Sequence, residues 1–185
     1  MTSSTGNTAG PASATPLPDA EILYAGLLAQ LRARVTPETG VVGIMTGGAW
    51  LAERLHRDLG IALPLGVLDI SFYRDDFDQT GLSRNVKPSS IPFEVQGRRL
   101  LLVDDVLYTG RTVRAAMNEL FDYGRPACIE LAVLADRGGR ELPIAAQYCG
   151  AQVAVSADQV LVLERAAGGA FSLSLSATHR VRGNP

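Results

Sequence analysis

The stretch LLLVDDVLYTGRT, residues 100–112, decides the fold. Leu100 to Val103 form an unbroken apolar run, as expected of a strand buried on both faces of a parallel sheet. The run ends on Asp104 and Asp105. A turn of small and hydroxyl residues follows, and then Val113, Met117, Leu120 and Phe121 recur at helical spacing. Backbone N–H groups from Tyr108 to Thr112 can converge on one anion, with Thr109 and Thr112 adding hydroxyls and Gly110 allowing a close backbone path. Ionised Asp104 and Asp105 repel phosphate but accept hydrogen bonds from sugar hydroxyls. A strand that merely ended in a capped helix would not need two aspartates, two threonines and a glycine in this order. The segment therefore matches a phosphorylated ribose. Neither G-x-x-x-x-G-K-[ST] nor G-x-G-x-x-G occurs, which argues against a nucleotide triphosphatase and a dinucleotide-dependent oxidoreductase.

Working outward, residues 41–45, VVGIM, form a second buried run, and Thr46, Gly47 and Gly48 lead into a helix carrying Trp50, Leu51, Leu55 and Leu59. Upstream, Asp19 is placed to cap a helix with Ile22, Leu23, Leu27, Leu28, Leu31 and Val35 on its apolar face. Strands are expected near 65–72 and 127–135, the latter ending in DRGGRE at 136–141. Between Arg74 and Ser90 lies a long polar loop bearing Arg74, Arg84 and Lys87. Alternating strands and helices predict an α/β fold with a mainly parallel central sheet and helices on both faces. Ligands of such sheets bind beyond the carboxyl ends of the strands, where all these polar segments converge. Residues 1–18, rich in Ser, Thr, Ala, Gly and Pro, predict a disordered tail ahead of one domain at 19–185.

Composition narrows the classes. With 46% hydrophobic and 19% charged residues the chain suits one globular core. A net charge of −2 and a pI near 5.7 provide no global field for nucleic acid. Cys128 and Cys149 lack metal or disulfide spacing, and no apolar run suits a membrane helix or a signal peptide, so a reducing cytoplasm is expected. His56 and His179 accompany no nucleophile motif and read as ordinary surface residues; Trp50 reads as core.

VDDVLYTGRT resembles the phosphoribosyl pyrophosphate signature of type I phosphoribosyltransferases. With DISFYRDDF at 69–77, IPFEV at 91–95, LFDYGRP at 120–126 and LAVLADRGGRELPI at 131–144, the pattern is similar to the pyrimidine operon regulator/uracil phosphoribosyltransferase family, PyrR. The resemblance implies the type I fold with a small hood, and transfer of ribose 5-phosphate from phosphoribosyl pyrophosphate to uracil, giving UMP. It implies Mg2+ held mainly by substrate and water, with no direct protein ligand assigned. Asp104 and Asp105 then hold ribose hydroxyls, while Val106, Leu107, Tyr108, Thr109, Gly110, Arg111 and Thr112 form the 5′-phosphate site. Thr46, Gly47 and Gly48 receive pyrophosphate, with Gly47 standing where many relatives carry arginine. Arg74, Arg84 and Lys87 belong to a catalytic lid, and Asp136 and Arg137 to the base site; Arg140 and Glu141 are assigned to surface or interface pairs.

Some family members also bind leader mRNA in a nucleotide-sensitive way through basic residues on the first helix and beyond the hood. Here the first helix reads DAEILYAGLLAQLRARV, and Ala151 and Ala157 replace expected cations, which leaves Arg137 and Arg140 as the remaining candidates for RNA contact. The enzyme reading is therefore favoured over a leader-mRNA attenuation regulator with weak or no catalysis, and over a nucleotide sensor acting through a protein partner. A homodimer or homotetramer is implied.

Overall fold

The computed structural model describes residues 16–70 and 88–177. Ten elements follow in chain order: α1 (Ala20–Arg32), β1 (Gly40–Ile44), α2 (Gly47–Asp58), β2 (Gly66–Leu68), β3 (Arg99–Leu107), α3 (Arg111–Asp122), β4 (Cys128–Asp136), β5 (Tyr148–Gln152), β6 (Gln159–Arg165) and β7 (Phe171–Ala177). Five strands make one sheet in the order β2-β1-β3-β4-β5, and every pairing in it is parallel.

The continuous apolar runs are explained by two cores, one on each face. Val41, Leu101, Val103, Ala132 and Leu134 point to the side where Leu27 and Leu31 of α1 and Leu51 and Leu55 of α2 pack. Their alternating neighbours, including Val42, Ile44, Leu102 and Val133, face Val113, Ala116 and Leu120 of α3. Period-two geometry thus demands apolar residues at every strand position when both faces are covered.

Asp19 caps α1 as expected, its carboxylate accepting from the N–H groups of Glu21 (2.7 Å) and Ile22 (3.3 Å). Ile22 itself is 70% exposed, contrary to its assignment to the apolar face. The buried stripe of α1 runs through Ala20, Leu23, Tyr24, Leu27 and Leu31, and Tyr24 fills the place given to Ile22. Leu17, within the expected tail, packs beside Ala135, Val153 and Leu161. Residues 1–15 lie outside the described residues.

Two further elements differ from the sequence reading. The strand expected to end at Val103 runs on to Leu107, because Val106 and Leu107 pair with Ala135 and Asp136 of β4. The signature is thus strand through Leu107, and only Tyr108 to Gly110 form the turn. Beyond β5, β6 and β7 form an antiparallel hairpin beside the sheet. Leu163 and Phe171 join the α1/α2 core, and Leu161 packs on Ala135 and Val153. The hairpin is clasped to both helices. Glu21 accepts two 2.7 Å hydrogen bonds from Arg54 of α2 and another from Phe171 N–H, while the Arg54 guanidinium lies 3.9 Å from the Tyr24 ring centroid.

Candidate active site

The carboxyl ends of β1, β3 and β4 bring three polar segments together. After β1, Thr46 is the N-cap of α2, and Gly47 and Gly48 are its first residues, both buried. A β-carbon on Gly48 would lie 2.6 Å from the Val103 carbonyl oxygen and 2.8 Å from Asp104 Cα; one on Gly47 would overlap the Asp105 carboxylate. Gly48 is therefore required by contact with the β3 backbone, whereas at Gly47 the Asp105 side chain fills the space that a β-carbon would take. Thr46, Gly47 and Gly48 are brought against Asp104 and Asp105.

The two aspartates differ in setting. Asp104 is only 3% exposed and accepts a 3.0 Å hydrogen bond from Asp105 N–H, whereas Asp105 is half-buried and reaches toward Gly47. Asp104 is thus buried, because strand pairing carries β3 past it.

Tyr108, Thr109 and Gly110 make the turn into α3. Gly110 is the N-cap, with φ of 92°, in the left-handed region that glycine occupies without a β-carbon penalty. Arg111 N–H donates to Thr109 Oγ1 at 3.3 Å, and the Arg111 side chain pairs with Glu141 at 2.7 Å. Among the described residues, none accepts a hydrogen bond from the N–H of Tyr108, Thr109 or Gly110. Consecutive main-chain donors facing no protein acceptor, at the N-terminus of a twelve-residue helix, make a favourable setting for an anion.

The DRGGRE segment packs directly on this turn. The Arg137 guanidinium lies 4.1 Å from the Tyr108 ring centroid, and its Nη2 donates to Ser156 O at 3.2 Å. A β-carbon on Gly139 would come within 2.5 Å of Tyr108 Cε2. Asp136, Arg137, Arg140, Gln152, Val153 and Ala154 line a cavity of about 580 Å³ beside the turn. Asp136 and Arg137 thus line a cavity together with residues that follow β5.

Glu141 makes the surface pair expected of it, with Arg111. Arg140 does not, and turns inward instead. It pairs with Asp136, donates to the Tyr108 carbonyl, and donates to Ile144 O at 3.1 Å. Its role depends on which carbonyls lie beneath it, and no sequence spacing carries that information.

Arg74, Arg84 and Lys87 lie outside the described residues, as does His179. His56 is part-buried rather than a plain surface residue, because its Nε2 contacts Leu63 O at 2.6 Å. Trp50 is half-buried and packs against the α1/α2 core. Burial, and secondarily the charge of Asp136, pushes the Cys149 thiol up, so it is a protonated, non-nucleophilic neighbour of the site.

The phosphoribosyl transferase domain family matches residues 15–160. The chain is similar to the Bifunctional protein PyrR of Ralstonia nicotianae, 55% identical over 156 residues that cover 82% of this chain and 89% of that protein. It is similar also to the Bifunctional protein PyrR of Pseudomonas aeruginosa, 51% identical over 148 residues, 77% of this chain and 86% of that one. Among solved structures, a purine phosphoribosyltransferase from Pyrococcus horikoshii superposes with a TM-score of 0.55 at 27% identity, covering 72% of this chain and 82% of that one. A hypoxanthine-guanine phosphoribosyltransferase from Bacillus anthracis gives a TM-score of 0.60 at 21% identity, over 76% and 84%, a likeness of fold. With its parallel sheet, its aspartate pair and the glycine turn that follows, the chain belongs to the PyrR family of type I phosphoribosyltransferases.

Proposed function

We propose that this protein is a uracil phosphoribosyltransferase, joining uracil to the ribose of phosphoribosyl pyrophosphate and releasing UMP and pyrophosphate. The observation that carries the reading is the packing of Gly47 and Gly48 onto Asp105 and Asp104. It puts a loop suited to pyrophosphate and carboxylates suited to ribose hydroxyls at one strand end, with an anion-binding turn just beyond.

In this mechanism the uracil nitrogen attacks the anomeric carbon as the bond to pyrophosphate breaks, and the proton that the nitrogen carried passes to solvent. Positive charge develops on the ribose and negative charge on the leaving group. The protein's contribution is positioning and electrostatics. Asp104 and Asp105 orient the ribose hydroxyls, and their charge favours the cationic ribose. The turn from Tyr108 to Thr112 anchors the 5′-phosphate through main-chain N–H groups and the hydroxyls of Thr109 and Thr112, while Val106 and Leu107, paired with β4, carry the strand up to it. Thr46, Gly47 and Gly48 receive the pyrophosphate, and Asp136 and Arg137 border the base.

The donor set suits Mg2+ held mainly by substrate oxygens and water. Asp105 offers hard carboxylate oxygens beside the pyrophosphate loop. When bound, the ion would neutralise charge accumulating on pyrophosphate. No helix among the described residues is long and apolar enough to cross a membrane. A cytoplasmic homodimer or homotetramer belongs to the same proposal.

The test is pyrophosphate release from phosphoribosyl pyrophosphate, uracil and Mg2+. Release should require uracil and be matched by UMP; uracil-independent hydrolysis, or no release, would reject the proposal.

A further inference from the structure

Three consecutive carbonyls of the anion-binding turn are held by the segment that follows β4. Leu107 O accepts from Arg137 N–H at 3.0 Å, and from Arg140 Nη1 at 3.4 Å. Tyr108 O accepts from Arg140 Nη1. Thr109 O accepts from the N–H groups of Glu141 and Leu142, at 3.0 and 3.1 Å. Among the described residues the only cis peptide joins Met45 to Thr46, so these three peptide units are trans. In a planar trans peptide the carbonyl and the N–H point in opposite directions. Fixing the carbonyls of residues 107, 108 and 109 toward one side therefore turns the N–H groups of Tyr108, Thr109 and Gly110 toward the other. Those are the donors for which none of the described residues supplies an acceptor.

Two of the three carbonyls are also held by backbone donors, which any residue supplies. The Tyr108 carbonyl differs, because its partner is a side chain. Arg140 is itself fixed for this task, with Nη2 on the Asp136 carboxylate, Nε on Ile144 O at 3.1 Å and Nη1 also within 3.4 Å of Gly138 O. A guanidinium has the planar fork to meet several acceptors at once; an ammonium on a flexible stem does not.

We propose that Arg140 is a positioning residue for the 5′-phosphate: by holding the Tyr108 carbonyl it sets the peptide plane that aims the Thr109 N–H at the anion. The proposal rests on the phosphoribosyl reading of the turn. It does not depend on which base is used. It also takes Arg140 out of the surface role suggested by its sequence position, since its donors are committed to the turn and to Asp136.

The experiment is calorimetric titration of the full chain and of Arg140→Gln with ribose 5-phosphate, which has no base, with UMP, and with uridine by competition. Losing the charge-assisted contact that fixes the loop should weaken ribose 5-phosphate and UMP by about tenfold or more, and uridine by a clearly smaller factor that reports the lost Asp136 pairing. Arg140→Lys, which can still reach one carbonyl, should recover part of the loss. Unchanged ribose 5-phosphate affinity in Arg140→Gln, or an equal loss for uridine and ribose 5-phosphate, would overturn the proposal. If Arg140→Gln does not fold, Arg140→Lys carries the test. A UMP-to-uridine affinity ratio below wild type supports the positioning role, and an unaltered ratio contradicts it.

Discussion

Gly47 and Asp105 are complementary in shape: a β-carbon on the glycine would lie 2.5 Å from the Asp105 carboxyl carbon. Gly47→Ala should therefore push the carboxylate off its position and weaken phosphoribosyl pyrophosphate binding, by roughly tenfold to a hundredfold if the ribose is displaced by about an ångström. Asp105→Ala removes the obstruction, so Gly47→Ala should cost much less in that background. Binding measured over the double-mutant cycle checks this; strictly additive losses would mean that the two residues act independently.

The aspartate pair gives a second prediction. Asp104→Asn with Asp105→Asn keeps side-chain size while removing the charges and half the acceptor oxygens, so phosphoribosyl pyrophosphate binding should be abolished with the fold largely retained. Calorimetry alongside circular dichroism distinguishes the two effects. Wild-type affinity in the double variant would remove both residues from the ribose site.

Reading the sequence reached the strand ends, and through them the location of the site. Alternate residues such as Val41 and Val42 face different cores, so the two-sided burial appears directly as unbroken apolar runs. The β6–β7 hairpin was missed although Phe171, Leu173 and Leu175 alternate strictly with Ser172, Ser174 and Ser176, a period-two signal; in β6, Val160 to Leu163 are apolar throughout and hide the same period. Ile22 was misassigned because spacing alone does not reveal that Tyr24, bonded to Asp58 at 2.6 Å, fills the adjoining part of the interface. The sequence places Arg140 in a surface or interface pair because its partners, Tyr108 O and Ile144 O, are backbone atoms whose positions arise only in the folded chain.

Acid should loosen the clasp between the helices and the hairpin. The Arg54 guanidinium, and the Phe171 N–H after burial is offset, hold the Glu21 carboxyl below the usual carboxylate range. The Tyr24 hydroxyl does the same for Asp58, and Arg99 for Glu130. A depressed folded-state pKa contributes stability that is fully present above the unfolded value of about 4 and is lost as pH falls through the folded value. Melting temperature should thus fall below about pH 4, and Glu21→Gln should show a shallower fall there. At pH 7 the same substitution should cost roughly 1 kcal/mol or less, given the partial exposure of the pair. An identical acid limb in Glu21→Gln would remove this group from the pH dependence.

Leader RNA should bind weakly. Ala151 and Ala157 supply no cation, the Arg54 guanidinium is taken by Glu21, and Arg140 is engaged with Asp136. Each phosphate contact to a single strand contributes about −0.7 to the slope of log affinity against log salt, so few contacts mean a shallow slope. Filter binding with the native upstream RNA across a salt series, with and without UMP, measures both quantities. Nanomolar, sequence-specific binding strengthened by UMP would make regulation the primary role.

Uracil transfer is the central claim, and a competition among bases tests it most directly. Equimolar uracil, orotate, hypoxanthine and guanine are mixed with limiting phosphoribosyl pyrophosphate, Mg2+ and the protein, and the nucleotides are separated by chromatography. UMP should form first and dominate. Preferential formation of inosine or guanosine monophosphate, in line with the purine-enzyme likeness of the fold, would contradict the account.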